Sequence, residues 1–164
     1  MSHFRTLSAL FFTLTFLTGA PVLADEGAIE LKMIAEKEIK IKDENGKTVI
    51  KRVAPTRVLP GDEVIYILRY ANKGKEEVAD VVINNPIQQD LLYTAGSAYG
   101  QDAEIRFSID GGKKFDTPEN LVVKMPDGTE RPATESDYTN IRWLLNNPVA
   151  PKGGGQVGYR AKVR

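Results

Sequence analysis

The stretch DEVIYILRYA, residues 62–71, carries the strongest structural signal in this chain. Its apolar and aromatic residues recur at every second position, which is the repeat of a β-strand and not of a helix. One face of the strand would carry Val64, Tyr66, Leu68 and Tyr70, and the other face Ile65, Ile67 and Arg69. Because both faces are apolar near the middle, we predict that this strand lies in the centre of a sheet.

Similar short runs fill the rest of the chain, and Gly, Pro, Asn and Asp separate them about every 8–12 residues. That spacing is typical of an all-β sandwich or barrel, and no segment has a convincing helical pattern. We expect a bulge, a break or a helical stretch at residues 34–35, and a hairpin turn at residues 43–46. The pattern predicts about nine strands, at residues 29–41, 48–53, 62–71, 78–83, 91–94, 105–109, 121–125, 140–145 and 156–163.

The apolar residues that keep strand phase within these runs form the predicted core. Trp143 lies between Ile141 and Leu145 at strand spacing, which favours burial over a sugar-binding platform on the surface. The predicted core residues are Val64, Tyr66, Leu68, Val81, Ile83, Ile105, Phe107, Ile141, Trp143, Leu145, Val157 and Tyr159.

Residues 1–24 are typical of a cleavable secretory signal peptide. Arg5 gives a short positive start, an apolar run follows at residues 7–17, and small side chains end at Ala24. A transmembrane anchor is the alternative, but it needs roughly 20 apolar residues, about twice the length of this run. We therefore predict cleavage after Ala24 and export across the inner membrane to the periplasm or the cell surface. No integral membrane segment would remain in the mature chain.

The composition excludes several classes of function. The chain has no Cys and a single His, His3, which falls within the predicted signal peptide. Catalytic triads that use His or Cys, and zinc sites, are therefore excluded from the mature protein. Basic and acidic residues are equal at 22 each, so no net charge attracts nucleic acid. We predict that the protein is not an enzyme and binds neither a cofactor nor nucleic acid.

Two weaker motifs are assigned to structural roles. Calcium needs only oxygen ligands, and the acidic candidates are Asp102, Glu104 and Asp110, with Asp80 and Asp90 as possible neighbours. Their spacing does not match a calcium-binding loop, and aspartates in turns usually cap backbone amides, so we predict no metal site. The glycine run at residues 153–155 precedes a strand and not a helix, which favours a hairpin loop over a phosphate site.

Residues 58–163 resemble a bacterial protein family. The segments VLPGDEVIYILRYANKG, VADVVINNPI and LLYTAGSA follow the order and spacing of a conserved-repeat domain found in exported and cell-surface proteins, the domain of unknown function eleven family. The chain departs from that pattern at Asn84 and Asn85, where family members usually carry Asp before the proline. The resemblance implies an immunoglobulin-like β-sandwich at residues 58–164, an extracytoplasmic location and no activity. The turn residues that match the family pattern are Pro60, Gly61, Asp62, Asn72, Gly74 and Gly96.

Residues 25–57 would then form added N-terminal strands, a hairpin packed on this domain. Lysines alternate with apolar residues there, so we expect residues 29–53 to cover or extend one edge of the sheet. The favoured function is that of a non-enzymatic envelope module, structural or adhesion-like, which contacts an unidentified envelope or surface protein. A carbohydrate-binding module with Tyr93, Tyr99 and Tyr138 near its loops is the alternative, and a hydrolase of unrecognised type is a third hypothesis. The sequence leaves the oligomeric state open.

Overall fold

The computed structural model describes residues 28–164 and shows an all-β protein. The predicted signal peptide, residues 1–24, lies outside the described residues. Within residues 28–164 the only helical element is a 3₁₀ turn at Pro118–Asn120, and no helix there is long and apolar enough to span a membrane. The strands are β1 (Ile29–Lys42), β2 (Thr48–Val53), β3 (Glu63–Asn72), β4 (Val82–Pro86), β5 (Leu91–Tyr93), β6 (Tyr99–Gly100), β7 (Ala103–Ser108), β8 (Val122–Lys124), β9 (Glu130–Pro132), β10 (Asn140–Leu145) and β11 (Gly154–Val163).

The first sheet contains six antiparallel strands. Their order is β2-β1-β3-β11-β5, and the short strand β6 also pairs with β11. β3 lies between β1 and β11, so that Ile67 is opposite Ile34 on one side and Gly158 on the other. The central place predicted for this strand is confirmed.

The second sheet has three strands in the order β4-β10-β7, and β8 and β9 form a separate hairpin. The two sheets form a sandwich whose core contains Ile141 and Trp143 of β10 with Val157 and Tyr159 of β11, each at most 1 % exposed. The Trp143 indole nitrogen donates a hydrogen bond to the carbonyl of Tyr99 at 3.1 Å, so its polar atom is satisfied inside the core. The prediction of an all-β sandwich is confirmed.

The residues assigned to the core from the sequence fall into two groups. Tyr66, Ile105 and Leu145 are half-buried and pack against the core cluster. The others are buried, namely Val64, Leu68, Val81, Ile83, Phe107, Ile141, Trp143, Val157 and Tyr159.

The strand pattern differs from the prediction in β1. The bulge or break expected at residues 34–35 is absent, because β1 is continuous. Glu36 is the last residue that pairs with β3, and Lys37 is the first that pairs with β2. The strand changes its partner at this point instead of changing direction.

The strand expected at residues 78–83 is shifted along the chain to β4. Asp80 has a φ of 52°, a left-handed conformation that interrupts a strand, and Val78 makes only an isolated bridge with Val149. β4 then runs through Pro86 instead of stopping before it. Since β4 is an edge strand that pairs with β10 alone among the described strands, a residue without an N–H is tolerated there.

Residues 28–164 contain eleven strands, more than the sequence predicted. β6 has two residues, too few to show a repeat, and β9 reads Glu-Arg-Pro with no apolar alternation. Neither strand carries the pattern on which the prediction depends.

Candidate functional site

β1 and β2 form an arm that extends past the rest of the first sheet. β1 pairs with β3 only as far as Glu36, which lies opposite Ile65. Because β3 begins at Glu63, residues 39–51 have no third strand beside them in the described part of the chain. We call residues 39–51 the hairpin arm. As expected from the sequence, β1 covers one edge of β3.

The turn of the hairpin arm is the one that the sequence predicts. The Asp43 carboxylate accepts hydrogen bonds from the backbone amides of Asn45 at 3.0 Å and Lys47 at 2.8 Å. Gly46 has a φ of 75°, the left-handed conformation that glycine adopts without strain. The arm is therefore a formed hairpin with a capped turn.

The surface of the hairpin arm is basic and apolar. Ile50 is 64 % exposed, and Ile41 is also exposed. β2 pairs only with β1 among residues 28–164, so its outer edge carries backbone groups without a strand partner there. Four lysines on the arm belong to no ion pair within the described residues, namely Lys40, Lys42, Lys47 and Lys51.

An ion-pair network joins β1 and β2 to the rest of the first sheet at the point where the hairpin arm begins. The Arg160 guanidinium donates to Glu38 at 2.9 Å and to Glu63 at 2.8 Å, and Arg52 donates to the same Glu38 at 3.2 Å. Hydrogen bonding from Arg160 holds the pKa of Glu38 below its ordinary value, and Arg52 adds to this effect. Because Arg160 is on β11 and Glu38 is on β1, its side chain crosses the outer face of β3 between them.

The turn at residues 59–62 also holds β1 in position near the start of the hairpin arm. Gly61 has a φ of 94°, and the Asp62 amide donates to the Leu59 carbonyl at 2.9 Å, which fits a tight turn with Pro60 before the glycine. The Asp62 carboxylate accepts from the Lys37 ammonium at 2.9 Å, and this bond lowers the pKa of Asp62. Pro60, Gly61 and Asp62 therefore hold β1 in place.

Asn72 joins two loops at the other end of β3. Its side-chain amide donates to the carbonyls of Glu76 at 2.7 Å and Val149 at 2.8 Å, and its side-chain oxygen accepts from the amide of Gly74 at 2.8 Å. A Cβ on Gly74 would stand 2.9 Å from the Cβ of Ala28, so the loop needs a glycine. Asn72 and Gly74, which match the family pattern, therefore have structural roles.

The segment around Gly96 closes the other side of the first sheet. Gly96 has a φ of 67°, and the side chain of the next residue, Ser97, bonds to backbone groups of Thr94 and Arg160. The Ser97 hydroxyl donates to the Thr94 carbonyl at 2.5 Å and accepts from the Arg160 amide at 3.0 Å. Gly96 and Ser97 therefore help to hold β11, the strand that contains Arg160, in position.

Two of the tyrosines proposed for sugar binding lie in the core, so their expected place at the surface is wrong. Tyr93 and Tyr138 are buried, and both rings pack with Phe107, at centroid distances of 5.1 Å and 4.6 Å. Tyr99 is exposed, at 37 %. Sequence alternation could not separate these three residues because each lies next to a turn.

The five acidic residues considered for calcium do not come together. Among residues 28–164 no group of three or more acidic or histidine side chains is placed to hold a metal ion. The Asp110 carboxylate instead accepts from the Ser108 hydroxyl and from the amides of Lys113 and Lys114, and Glu104 pairs with Arg106.

A cleft lies where β3 ends, at the opposite end of the first sheet from the hairpin arm. Its volume is about 560 Å³. Gly154 and Gly155 belong to β11, so the loop expected over the whole glycine run is wrong in part. A Cβ on Gly155 would stand 2.5 Å from the Tyr70 hydroxyl, so the Tyr70 ring lies across this glycine. The polar residues that line the cleft are Tyr70, Tyr99, Gln101, Asp102, Asn147 and Gln156.

Sequence reasoning missed this cleft. Its residues come from β3, β6, the turn before β7, the end of β10, the loop after it and the start of β11, and no short motif joins them. The glycine run was the only local signal, since three consecutive glycines allow a close approach of other groups, here Ala150 and Tyr70. Comparison with protein-family models, with curated proteins and with solved structures found no match to this chain.

Proposed function

We propose that this chain is exported to the periplasm or the cell surface and acts there as a non-enzymatic module through protein–protein contacts made by the hairpin arm. The observation that carries the proposal is the arm itself, a capped hairpin that extends past the sheet with Ile50 64 % exposed. An isolated two-stranded ribbon gains little stability from extending away from its core. A binding role explains why it does so.

The outer edge of β2 favours an extended peptide as the partner. Strand addition to an exposed edge supplies backbone hydrogen bonds, and side chains at alternate positions supply specificity. The exposed Ile50 side chain would contact an apolar residue of the added strand. The partner is therefore a segment in extended conformation with at least one apolar side chain.

The charge of the arm selects an acidic segment. The arm carries four lysines, Lys40, Lys42, Lys47 and Lys51, and two acidic residues, Glu44 and Asp43, of which Asp43 caps the turn. A second copy of the same strand would bring like charges together, which opposes self-association at this edge. Glu or Asp at alternate positions of the partner would pair with these lysines and would speed association at low salt.

Two sequence features support the remaining parts of the proposal. Residues 1–24 have the pattern of a secretory signal, which supports export. His3 is the sole histidine and the chain has no cysteine, which supports a role without nucleophilic catalysis by those groups. Intact-mass measurement of the exported protein tests the first part, and a chain that begins at Asp25 is expected.

Site-specific photo-crosslinking in living cells tests the contact. A photoreactive amino acid at position 50 should give one discrete adduct, whose crosslinked peptide is acidic by mass spectrometry. The control carries the same group at Val122, which is 45 % exposed on β8. Identical adduct patterns from the two positions, or none from position 50, would contradict the proposal.

A charge-matched pair of variants sharpens this test. Lys40→Glu with Lys51→Glu should abolish the adduct, because both changes lie on the arm. Lys75→Glu with Lys114→Glu alters the net charge equally at exposed positions outside the arm and should leave the adduct intact. Equal loss with both pairs would indicate a general charge effect and would remove the support for the arm.

A further inference from the structure

The cleft at the end of β3 has the dimensions of a ligand site. Its volume of about 560 Å³ falls within the range of roughly 300–1,000 Å³ that small-molecule sites occupy. Gly153, Gly154 and Gly155 line one side of it, and Ala150 and Tyr70 occupy the space where their Cβ atoms would stand. Val149 and Leu145 add apolar surface beside them.

The polar side chains in the cleft are not used by the fold. Gln101, Asp102, Asn147 and Gln156 are exposed, and none makes a side-chain hydrogen bond within residues 28–164. Several aspartates at other turns are engaged, as Asp43, Asp110 and Asp127 show by capping backbone amides. The cleft therefore concentrates free donors and acceptors on one surface.

Two tyrosines border this cleft from opposite faces of β11. The Tyr70 ring lies across Gly155, and the Tyr99 ring lies over Gly158, where a Cβ would stand 2.6 Å from the Tyr99 hydroxyl. Partial burial raises the pKa of both phenols, so they remain neutral at physiological pH. Each offers an apolar ring and a hydroxyl that can donate or accept.

The chemistry of the lining selects the class of ligand. No lysine or arginine lines the cleft, so a phosphate or carboxylate would find no cation to pair with, and Asp102 would repel it. Amide side chains both donate and accept, as do hydroxyl groups, and aromatic rings pack against the C–H faces of sugar rings. A neutral polyhydroxylated ligand uses all of these groups.

We propose that this cleft is a binding site for a neutral oligosaccharide, in which Gln101, Asp102, Asn147 and Gln156 contact hydroxyl groups and Tyr70 contacts a sugar ring. The site is separate from the hairpin arm, since the two lie at opposite ends of the first sheet. The proposal does not rest on the protein contact proposed above, and each can fail without the other.

Calorimetric titration of the mature chain with maltotriose, cellotriose and N,N′,N″-triacetylchitotriose at millimolar concentrations tests the site. At least one of these neutral trisaccharides should bind, and the backbone amide signals of residues 153–155 should shift in ¹⁵N-resolved spectra. The absence of binding by all three would overturn the proposal. Spermine, a cation, is titrated in parallel, and binding of spermine alone that is lost in Asp102→Asn would also overturn it.

A matched pair of double variants locates the binding. Asn147→Ala with Gln156→Ala removes two exposed amides of the cleft and should weaken the bound trisaccharide at least tenfold, about the value of one lost hydrogen bond. Gln88→Ala with Gln89→Ala removes two exposed amides elsewhere and should leave the affinity unchanged. Equal affinities for the two double variants would overturn the assignment of the cleft.

Discussion

The two faces of β3 are equally buried, but different parts of the molecule cover them. Leu68 faces the second sheet and is 2 % exposed, whereas Ile67 faces away from it and is 4 % exposed. The inner face lies against the core that contains Trp143. The outer face is covered by long side chains of its own sheet, chiefly Tyr99 over Gly158 and Arg160, which reaches across to Glu38. Burial alone therefore does not identify the core of this protein.

The two coverings differ in how they respond when a side chain is removed. A core between two sheets is held by backbone on both sides and collapses only partly around a cavity. Side chains such as Arg160 can change rotamer and refill space, and their apolar stems cover the surface while the charged end stays in water. The inner face should therefore be the more sensitive to truncation.

The largest effect is expected from Trp143→Ala on the inner side. This change should reduce the free energy of unfolding by about 3–5 kcal/mol, because it removes a fully buried aromatic ring and the Tyr99 carbonyl loses its donor. Chemical denaturation followed by circular dichroism measures the loss. An unchanged midpoint would mean that the indole is not part of the core.

The second prediction compares two neighbouring residues on opposite faces. Leu68→Ala should cost about 3–4 kcal/mol and Ile67→Ala about 2 kcal/mol, because the outer cover can move into the space that is left. The same denaturation experiment on both variants gives the difference. Equal losses would show that the outer cover is as rigid as a second sheet.

The inner face was predictable from the sequence, and the outer cover was not. Alternation at residues 64–70 placed Leu68 with the core and also marked Ile67 as apolar on the other side. What covers the outer face depends on strand order, since Arg160 lies opposite Ile65 and reaches Glu38 only because β11 and β1 lie on either side of β3. No local pattern contains that order, because residues 38 and 160 are distant in the chain.

The hairpin arm and the cleft also differ in how far each could be predicted from the sequence. The hairpin turn at Asp43 was predictable because its residues are adjacent and each has a local preference. The cleft was not, because Tyr70, Asn147 and Gln156 meet only in the folded chain. Buried polar residues were also missed: Asn85, noted only as a departure from a family pattern, is buried and hydrogen-bonded to Tyr159.

A third prediction concerns that polar contact on the inner face. The Asn85 amide donates to the Tyr159 hydroxyl at 2.9 Å. Tyr159→Phe should cost about 1–2 kcal/mol, because a buried donor loses its acceptor. Tyr66→Phe is the matched control, since the Tyr66 ring stacks on Tyr159 at 5.2 Å but its hydroxyl has no hydrogen bond among the described residues. Equal costs for the two changes would indicate that the Asn85 contact contributes nothing.

The smallest effect is expected from the charges on the outer face and depends on pH. Arg160 lowers the pKa of Glu38 in the folded state. The stability from this contact is therefore present above the unfolded pKa, about 4.3, and is lost as the pH falls through the lower folded value. The stability difference between the native protein and Glu38→Gln should be constant near neutrality and should shrink in acid.

Thermal unfolding of both proteins between neutral and acidic pH measures this difference. Added salt at neutral pH should shrink it as well, because the ion pairs are partly exposed. A difference that grows on acidification would reverse the assigned sign and would mean that Glu38 is destabilising when charged.

The position of β11 within the first sheet sets the order in which the protein can fold. β11 is the last of the described strands to be synthesised, yet it pairs with β3 on one side and with β5 and β6 on the other. Until the ribosome has made residues 154–163, the core lacks Val157 and Tyr159 and the first sheet remains in two parts. Sheets assembled from such distant segments fold in roughly milliseconds to seconds. Under the export that we propose, a chain that has not yet completed β11 would enter the translocation channel with its first sheet incomplete.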